Sequence, residues 1–119
     1  EAIRLGTLKK TGEDTWECAG GLVYEGLDYN GLNRIEHVLL HTQPNPSKPL
    51  HTVFNVERNK ILGLIDEAWM RRGEPVFDRN AAIYIIPMKK PIGVLGESSI
   101  KIVVEKQTNQ IVTAYPIKK

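Results

Sequence analysis

The stretch SIKIVVEKQTNQIVTAYPI, residues 99–117, alternates apolar with polar side chains on both sides of a short polar break. Period two over SIKIVVEK (99–106) and QIVTAYPI (110–117) sends successive side chains to opposite faces of a strand, and the break around Thr108 and Asn109 has the composition of a tight turn. The spacing predicts a β-hairpin. AAIYIIPM, residues 81–88, adds a strand ahead of it, with PIGVLGE as the connecting turn region, so this part of the chain reads as an antiparallel meander. Strict alternation in the last strand sets Ile111, Thr113 and Tyr115 on one face and Val112 and Ala114 on the other. Burial of Val112 and Ala114 beneath helices then leaves a hydroxyl and a phenol side by side on an open face. The side taken by Lys101 depends on register: a two-residue turn sends it away from Thr113 and Tyr115, and an odd-length loop brings it to them.

Upstream the period changes. Ile61, Leu64, Ile65, Ala68 and Trp69 recur at helical spacing between Glu57 and about Arg72, with Gly73 and Pro75 to end the run. Trp69 belongs to the core of that helix, and Asp66 and Glu67 are expected on its exposed side. Leu32, Ile35 and Leu39, flanked by Val38, predict a shorter amphipathic helix over about 31–41, begun by Asn30 or Gly31; Asn33, Arg34, His37 and His41 share its opposite side. The prolines of TQPNPSKP make a loop, and HTVFNV after it reads as a short strand with His51 at its start. Glycines at 6, 12, 20, 21, 26 and 31 punctuate the beginning of the chain, which is expected to be loop with one or two short strands. Helices first and sheet afterwards give an α+β class, with N-terminal helices packed on a small C-terminal antiparallel sheet. One domain fills residues 1–119: an irregular part to residue 30, a helical part over 31–73 that carries the histidines, and the sheet over 81–117.

Apolar residues make up 41% of the 119 and charged residues 25%, an ordinary globular composition. No apolar run approaches the roughly 18 residues needed to span a bilayer, and no signal-peptide pattern opens the chain. Glu1 in place of a methionine is expected of a domain cut from a longer chain. A lone Cys18 allows no internal disulfide and reads as a small buried apolar residue rather than a nucleophile. The net charge is only +2, yet after residue 85 six lysines, at 89, 90, 101, 106, 118 and 119, stand against Glu97 and Glu105. A basic end of this kind suits a polyanionic ligand.

All three histidines, His37, His41 and His51, fall in the stretch RIEHVLLHTQPNPSKPLHTVF, residues 34–54. Two imidazoles brought together can do acid–base chemistry near neutral pH, because each can hold or release a proton there. Metal-free cleavage of RNA needs such a pair: one group takes the proton of a ribose 2′-hydroxyl, the other protonates the departing 5′-oxygen, and a cation or hydroxyl donor steadies the phosphoryl oxygens. His37 and His51 are the candidate pair, with His41 on the face of His37 as a neighbour. Thr113 and Tyr115 offer a hydroxyl for phosphate and a phenol for an oxygen or a base, and Lys101 is the candidate cation. The competing arrangement is a zinc site, in which His37 and His41, at i and i+4, and His51 hold one ion. HVLLH, however, has no glutamate placed as general base, since Glu36 projects elsewhere around the helix. A third possibility is a non-catalytic domain that binds RNA or protein through the open sheet face. No glycine-rich phosphate loop is present, because GLVYEG and GVLGESS lack the Lys-Ser/Thr ending.

HVLLHTQPNPSKPLHTVFNV, GLIDEAW, GESSIKIVVE and the closing IVTAYP together resemble the bacterial EndoU-like ribonuclease domains at the C-termini of polymorphic toxins, including contact-dependent growth inhibition toxins. The likeness covers roughly residues 20–117. It implies a fold of the barnase, EndoU, colicin and RelE group, and metal-independent, cofactor-free cleavage of RNA, commonly tRNA, to a 2′,3′-cyclic phosphate and a 5′-hydroxyl. The resemblance places the family histidines on His37 and His51 and the terminal Thr and Tyr on Thr113 and Tyr115. It also implies a monomeric domain of a larger secreted or cell-surface toxin that acts in the target-cell cytoplasm, with a cognate immunity protein as partner. Two features depart from the family: PNPSKPL precedes His51 where many members have a glycine-rich approach, and only Lys101 is on offer for the lysine that the animal enzymes use.

Overall fold

A computed structural model describes residues 8–27, 31–39, 53–57 and 60–118. Along the chain run β1 (Lys9–Gly12), β2 (Thr15–Glu17), β3 (Val23–Glu25), α1 (Arg34–Leu39), α2 (Ile61–Met70), β4 (Val76–Asp78), β5 (Ala81–Pro87), β6 (Ser99–Glu105) and β7 (Ile111–Ile117). The strands form two antiparallel sheets, β1-β2-β3 and β4-β5-β6-β7.

This overturns the expected architecture of N-terminal helices packed on a small C-terminal sheet. Among the described residues seven strands carry most of the regular structure, and the two helices are short. The beginning of the chain, expected to be irregular, holds a three-stranded sheet of its own. Strands of three or four residues are too short to display period two in sequence, so turns rather than patterning betray them. Glu13 and Asp14 close the β1–β2 hairpin with Asp14 at φ 51°, and Gly21, at φ 88°, turns the chain between β2 and β3 where the Gly21 N–H donates to Cys18 O. β4 escapes for the same reason, following Pro75 as a three-residue edge strand.

One face of the larger sheet is core. Ala82, Ile86, Ile100, Ile102, Val104, Ile111 and Ala114 are all buried there, packed with Ile61, Leu62, Ile65, Ala68 and Trp69 of α2. Trp69 is fully buried; its indole N–H donates to Gly20 O at 2.9 Å, and its ring meets Tyr84 edge-on with centroids 5.1 Å apart. Leu22 and Tyr24 bring the smaller sheet into the same core. A parallel bridge between Val23 and Gln110, with the Val23 N–H donating to Asn109 O, ties β3 to the β6–β7 turn.

Asp66 departs from its expected place on the exposed side of α2: it is buried, while Glu67 next to it is exposed and pairs with Arg71. Asp66 influences Cys18 and Tyr24 across the core. Burial, with Asp66 adding to it, pushes the Cys18 thiol above its usual 9.0, and burial followed by Asp66 and Cys18 drives the Tyr24 phenol well above its usual 10.0. Both groups therefore hold their protons more tightly when folded. Their stabilising contribution is complete below the unfolded-state values and is lost as pH rises through and beyond them, at about 1.4 kcal/mol per pH unit per group. Denaturant unfolding is expected to show stability declining above about pH 9. The decline should flatten in Cys18→Ala/Tyr24→Phe. Among the described residues the Tyr24 hydroxyl has no hydrogen-bond partner, so Tyr24→Phe alone is expected to raise stability at pH 7 by about 1 kcal/mol; a loss of that size would show the hydroxyl to be satisfied.

Candidate functional site

The outer face of the larger sheet is only half-buried, and two cross-strand rows run over it. Ile83, Val103 and Thr113 make one row; Ile85, Lys101 and Tyr115 make the other. The Lys101 ammonium lies 5.6 Å from the centre of the Tyr115 ring, so the candidate cation, phenol and threonine hydroxyl share one surface.

A single extra residue produces this. The β6–β7 turn holds four residues, Lys106–Asn109, closed by the Glu105 N–H donating to Gln110 O and the Thr108 N–H donating to Glu105 O, with Gln107 and Asn109 at positive φ. Val104 pairs with Ile111, and with unbroken register Lys101 would pair with Ala114 on the outer face while Thr113 and Tyr115 turned to the core side with Ile102 and Val104. Instead the register shifts between Val104 and Val103, so that Val103 pairs with Thr113 and Lys101 with Tyr115. Val112 is the bulged residue. It is 39% exposed, and Ile111 is buried, the reverse of strict alternation. The bulge does what an odd-length loop was expected to do. The Arg34 guanidinium on α1 donates to the Val112 carbonyl at 3.3 Å, satisfying an oxygen that the bulge takes out of regular pairing.

α1 carries His37 and packs mainly on β7 and β3. Its start is fixed by a reciprocal capping box: the Glu36 N–H donates to Asn33 Oδ1 at 2.9 Å and the Asn33 N–H donates to Glu36 Oε1 at 3.0 Å. Asn33 is thus the cap, in place of Asn30 or Gly31. The His37 N–H donates to Asn33 O, and the residue is half-buried. His41 and His51, together with the proline loop between them, lie outside the described residues. The chain just beyond His51 is anchored, however. The Val94 N–H donates to Val53 O, the Asn55 N–H donates to Ile92 O, and Phe54 bridges Gly93, so residues 53–55 are held by the β5–β6 connection. Of HTVFNV the described residues, 53–56, contribute one isolated bridge, Phe54 to Gly93, and no strand. That connection leaves the sheet beside Pro87 and Ser99, two residues from the Ile85–Lys101–Tyr115 row.

Glu97 stiffens the same connection. It is buried, its Oε1 accepts from the Leu95 N–H at 2.9 Å, and it occupies the space where a Cβ on Gly93 would stand. Among the described residues no three His, Cys, Asp or Glu side chains converge to hold a metal ion. Cys18 is buried with a raised pKa, unsuited to nucleophilic work.

Residue-by-residue expectation had not singled out Arg34 or the half-buried Ile83 and Ile85. Arg34 was visible only as one polar residue on the face of His37, and the two isoleucines only as members of a strand. No family model, curated protein or solved structure matches this chain.

Proposed function

We propose that this chain is a metal-independent endoribonuclease toxin domain of the EndoU-like kind. The observation that carries the reading is the Val112 bulge, which sets Lys101, Thr113 and Tyr115 on one accessible face. The terminal motif alone left Lys101 undetermined. A phosphodiester lying over the Lys101–Tyr115 row meets an ammonium and a phenol, and the Thr113 hydroxyl stands in the next row. These are donors of the kind that stabilise charge developing on phosphoryl oxygens. His37 and His51 act as the acid–base pair, one drawing the proton from the 2′-hydroxyl and the other delivering one to the 5′-oxygen; His41 is a neighbour. The bond from the 2′-oxygen to phosphorus forms as the bond to the 5′-oxygen breaks, leaving a cyclic phosphate and a 5′-hydroxyl. tRNA is the expected substrate and an immunity protein the expected inhibitor, both by resemblance.

Total bacterial RNA incubated with the purified chain in excess EDTA tests this. Discrete cuts bearing 2′,3′-cyclic phosphate ends are expected, and Lys101→Ala should slow them by about 10²-fold, the cost of removing one transition-state donor. Cleavage that requires added zinc would instead make the histidines ligands. RNA binding with no cleavage under either condition would leave a binding domain.

A further inference from the structure

Val94 and Leu95 form the tip of the β5–β6 connection and are 61% and 74% exposed. The centre of a tight turn usually holds Gly, Pro, Asn, Asp or Ser; here two aliphatic residues stand in it. Gly93 and Gly96 flank the pair: the Gly96 N–H donates to Gly93 O at 3.1 Å, and Gly96 sits at φ 88°. The backbone behind the tip is fully engaged. The Leu95 N–H donates to Oε1 of the buried Glu97, the Val94 N–H donates to Val53 O, and the Ile92 and Gly93 N–H groups both donate to Glu97 O. The turn is thus fixed in a form that presents its two apolar side chains outward. The same end of the larger sheet is basic. Lys89 and Lys90 are exposed, and the one carboxylate between Met88 and Ser98, that of Glu97, is buried. Ser99 pairs with Ile117, so continued register places Lys118, also exposed, level with Ser98, whose carbonyl accepts from the Met88 N–H. Strands lie about 4.8 Å apart, which puts Lys118 about 10 Å from Met88 and brings it close to the two lysines that follow.

We infer that this end of the sheet docks on an anionic lipid surface, with Val94 and Leu95 entering the acyl boundary and Lys89, Lys90 and Lys118 resting on the headgroups. A convex tip two residues wide cannot cradle a small molecule or a peptide. It needs a partner that deforms around it, as a bilayer does. Unstacked RNA bases lie on aromatic rings or guanidinium planes, and neither tip residue offers one. Aliphatic groups flanked by lysines match instead the layered chemistry of a membrane interface, where apolar side chains reach the acyl chains and cations meet anionic headgroups. Docking of this kind is peripheral; among the described residues no helix is long and apolar enough to cross a membrane. The surface is separate from the ribonuclease reading, since none of His37, Lys101, Thr113 and Tyr115 belongs to it.

Co-sedimentation of the whole chain with vesicles of mixed phosphatidylcholine and phosphatidylglycerol, beside vesicles of phosphatidylcholine alone, tests this without reference to catalysis. The chain is expected to bind the mixed vesicles at least about tenfold more tightly. Val94→Ser/Leu95→Ser should lower that affinity by about tenfold, because it removes the inserted apolar groups, and the ratio to wild type should persist at high salt. Lys89→Ala/Lys90→Ala/Lys118→Ala should lower it by about 10²-fold at low salt, and added salt should erase the difference. Thermal unfolding should be the same in both variants as in the wild type, since all five side chains are exposed. Equal affinity for the two kinds of vesicle, binding to neither, or a tip variant that binds as the wild type does would overturn the inference. If that variant kept its vesicle affinity and lost affinity for bacterial RNA, the tip would belong to nucleic acid.

Discussion

Replacing His37 by alanine is expected to slow RNA cleavage in excess EDTA by about 10²- to 10⁴-fold, the range that general acid–base groups contribute. His51→Ala should match it. Proton transfer belongs to the transition state, so the loss should appear in kcat with KM nearly unchanged. Removing both histidines should cost far less than the product of the single losses, because the pair acts as a unit. The fold should tolerate His37→Ala: α1 is held by its Asn33–Glu36 capping box, by the buried Ile35, Val38 and Leu39, and by Arg34 on the Val112 carbonyl. Thermal unfolding of the variant beside the wild type separates chemistry from stability. Cleavage within about tenfold of wild type in a folded His37→Ala protein would be below the general acid–base range and would remove His37 from the mechanism. His41 would then be the next residue to replace.

Trp69→Ala is expected to destabilise the chain by about 3–5 kcal/mol, a large part of the roughly 5–15 kcal/mol that holds a domain folded. The indole is fully buried between the sheets and makes several distinct contacts. It stacks edge-on with Tyr84, donates to Gly20 O, and lies 4.0 Å beneath the Arg72 guanidinium, which also donates to the Trp69 carbonyl. Gly20 tests the same packing from the other side. A Cβ there would stand 2.8 Å from Trp69 Cδ1 and 2.7 Å from Met70 Sδ. The methionine can move aside but the indole is held, so Gly20→Ala should cost about 1–3 kcal/mol, the usual penalty of overpacking. Denaturant unfolding measures both. A Trp69→Ala loss below about 1 kcal/mol would mean that the smaller sheet is not packed on α2 as described.

The sequence by itself determined the long, regularly patterned elements. The apolar stripe from Ile61 to Trp69 marks α2, and the alternation over 81–88, 99–106 and 110–117 marks β5, β6 and β7, because a buried face leaves its period on any element that spans several repeats. It also marked Thr113, Tyr115 and Lys101 as groups with useful chemistry. The tertiary structure decided the rest, for three physical reasons. β1, β2, β3 and β4 are too short to carry a period, so the second sheet, and with it the true balance of strand over helix, emerges only from pairing across turns. Asp66 is buried because the smaller sheet brings Cys18 and Tyr24 over that side of α2, which no helical pattern within α2 can show. The meeting of Lys101 with Tyr115 hangs on Val112: alternation with the buried Ile100 and Ile102 already faces Lys101 outward, and one bulged residue in β7, its carbonyl held by Arg34 from 78 positions away, turns Thr113 and Tyr115 to that same face and brings cation and phenol together.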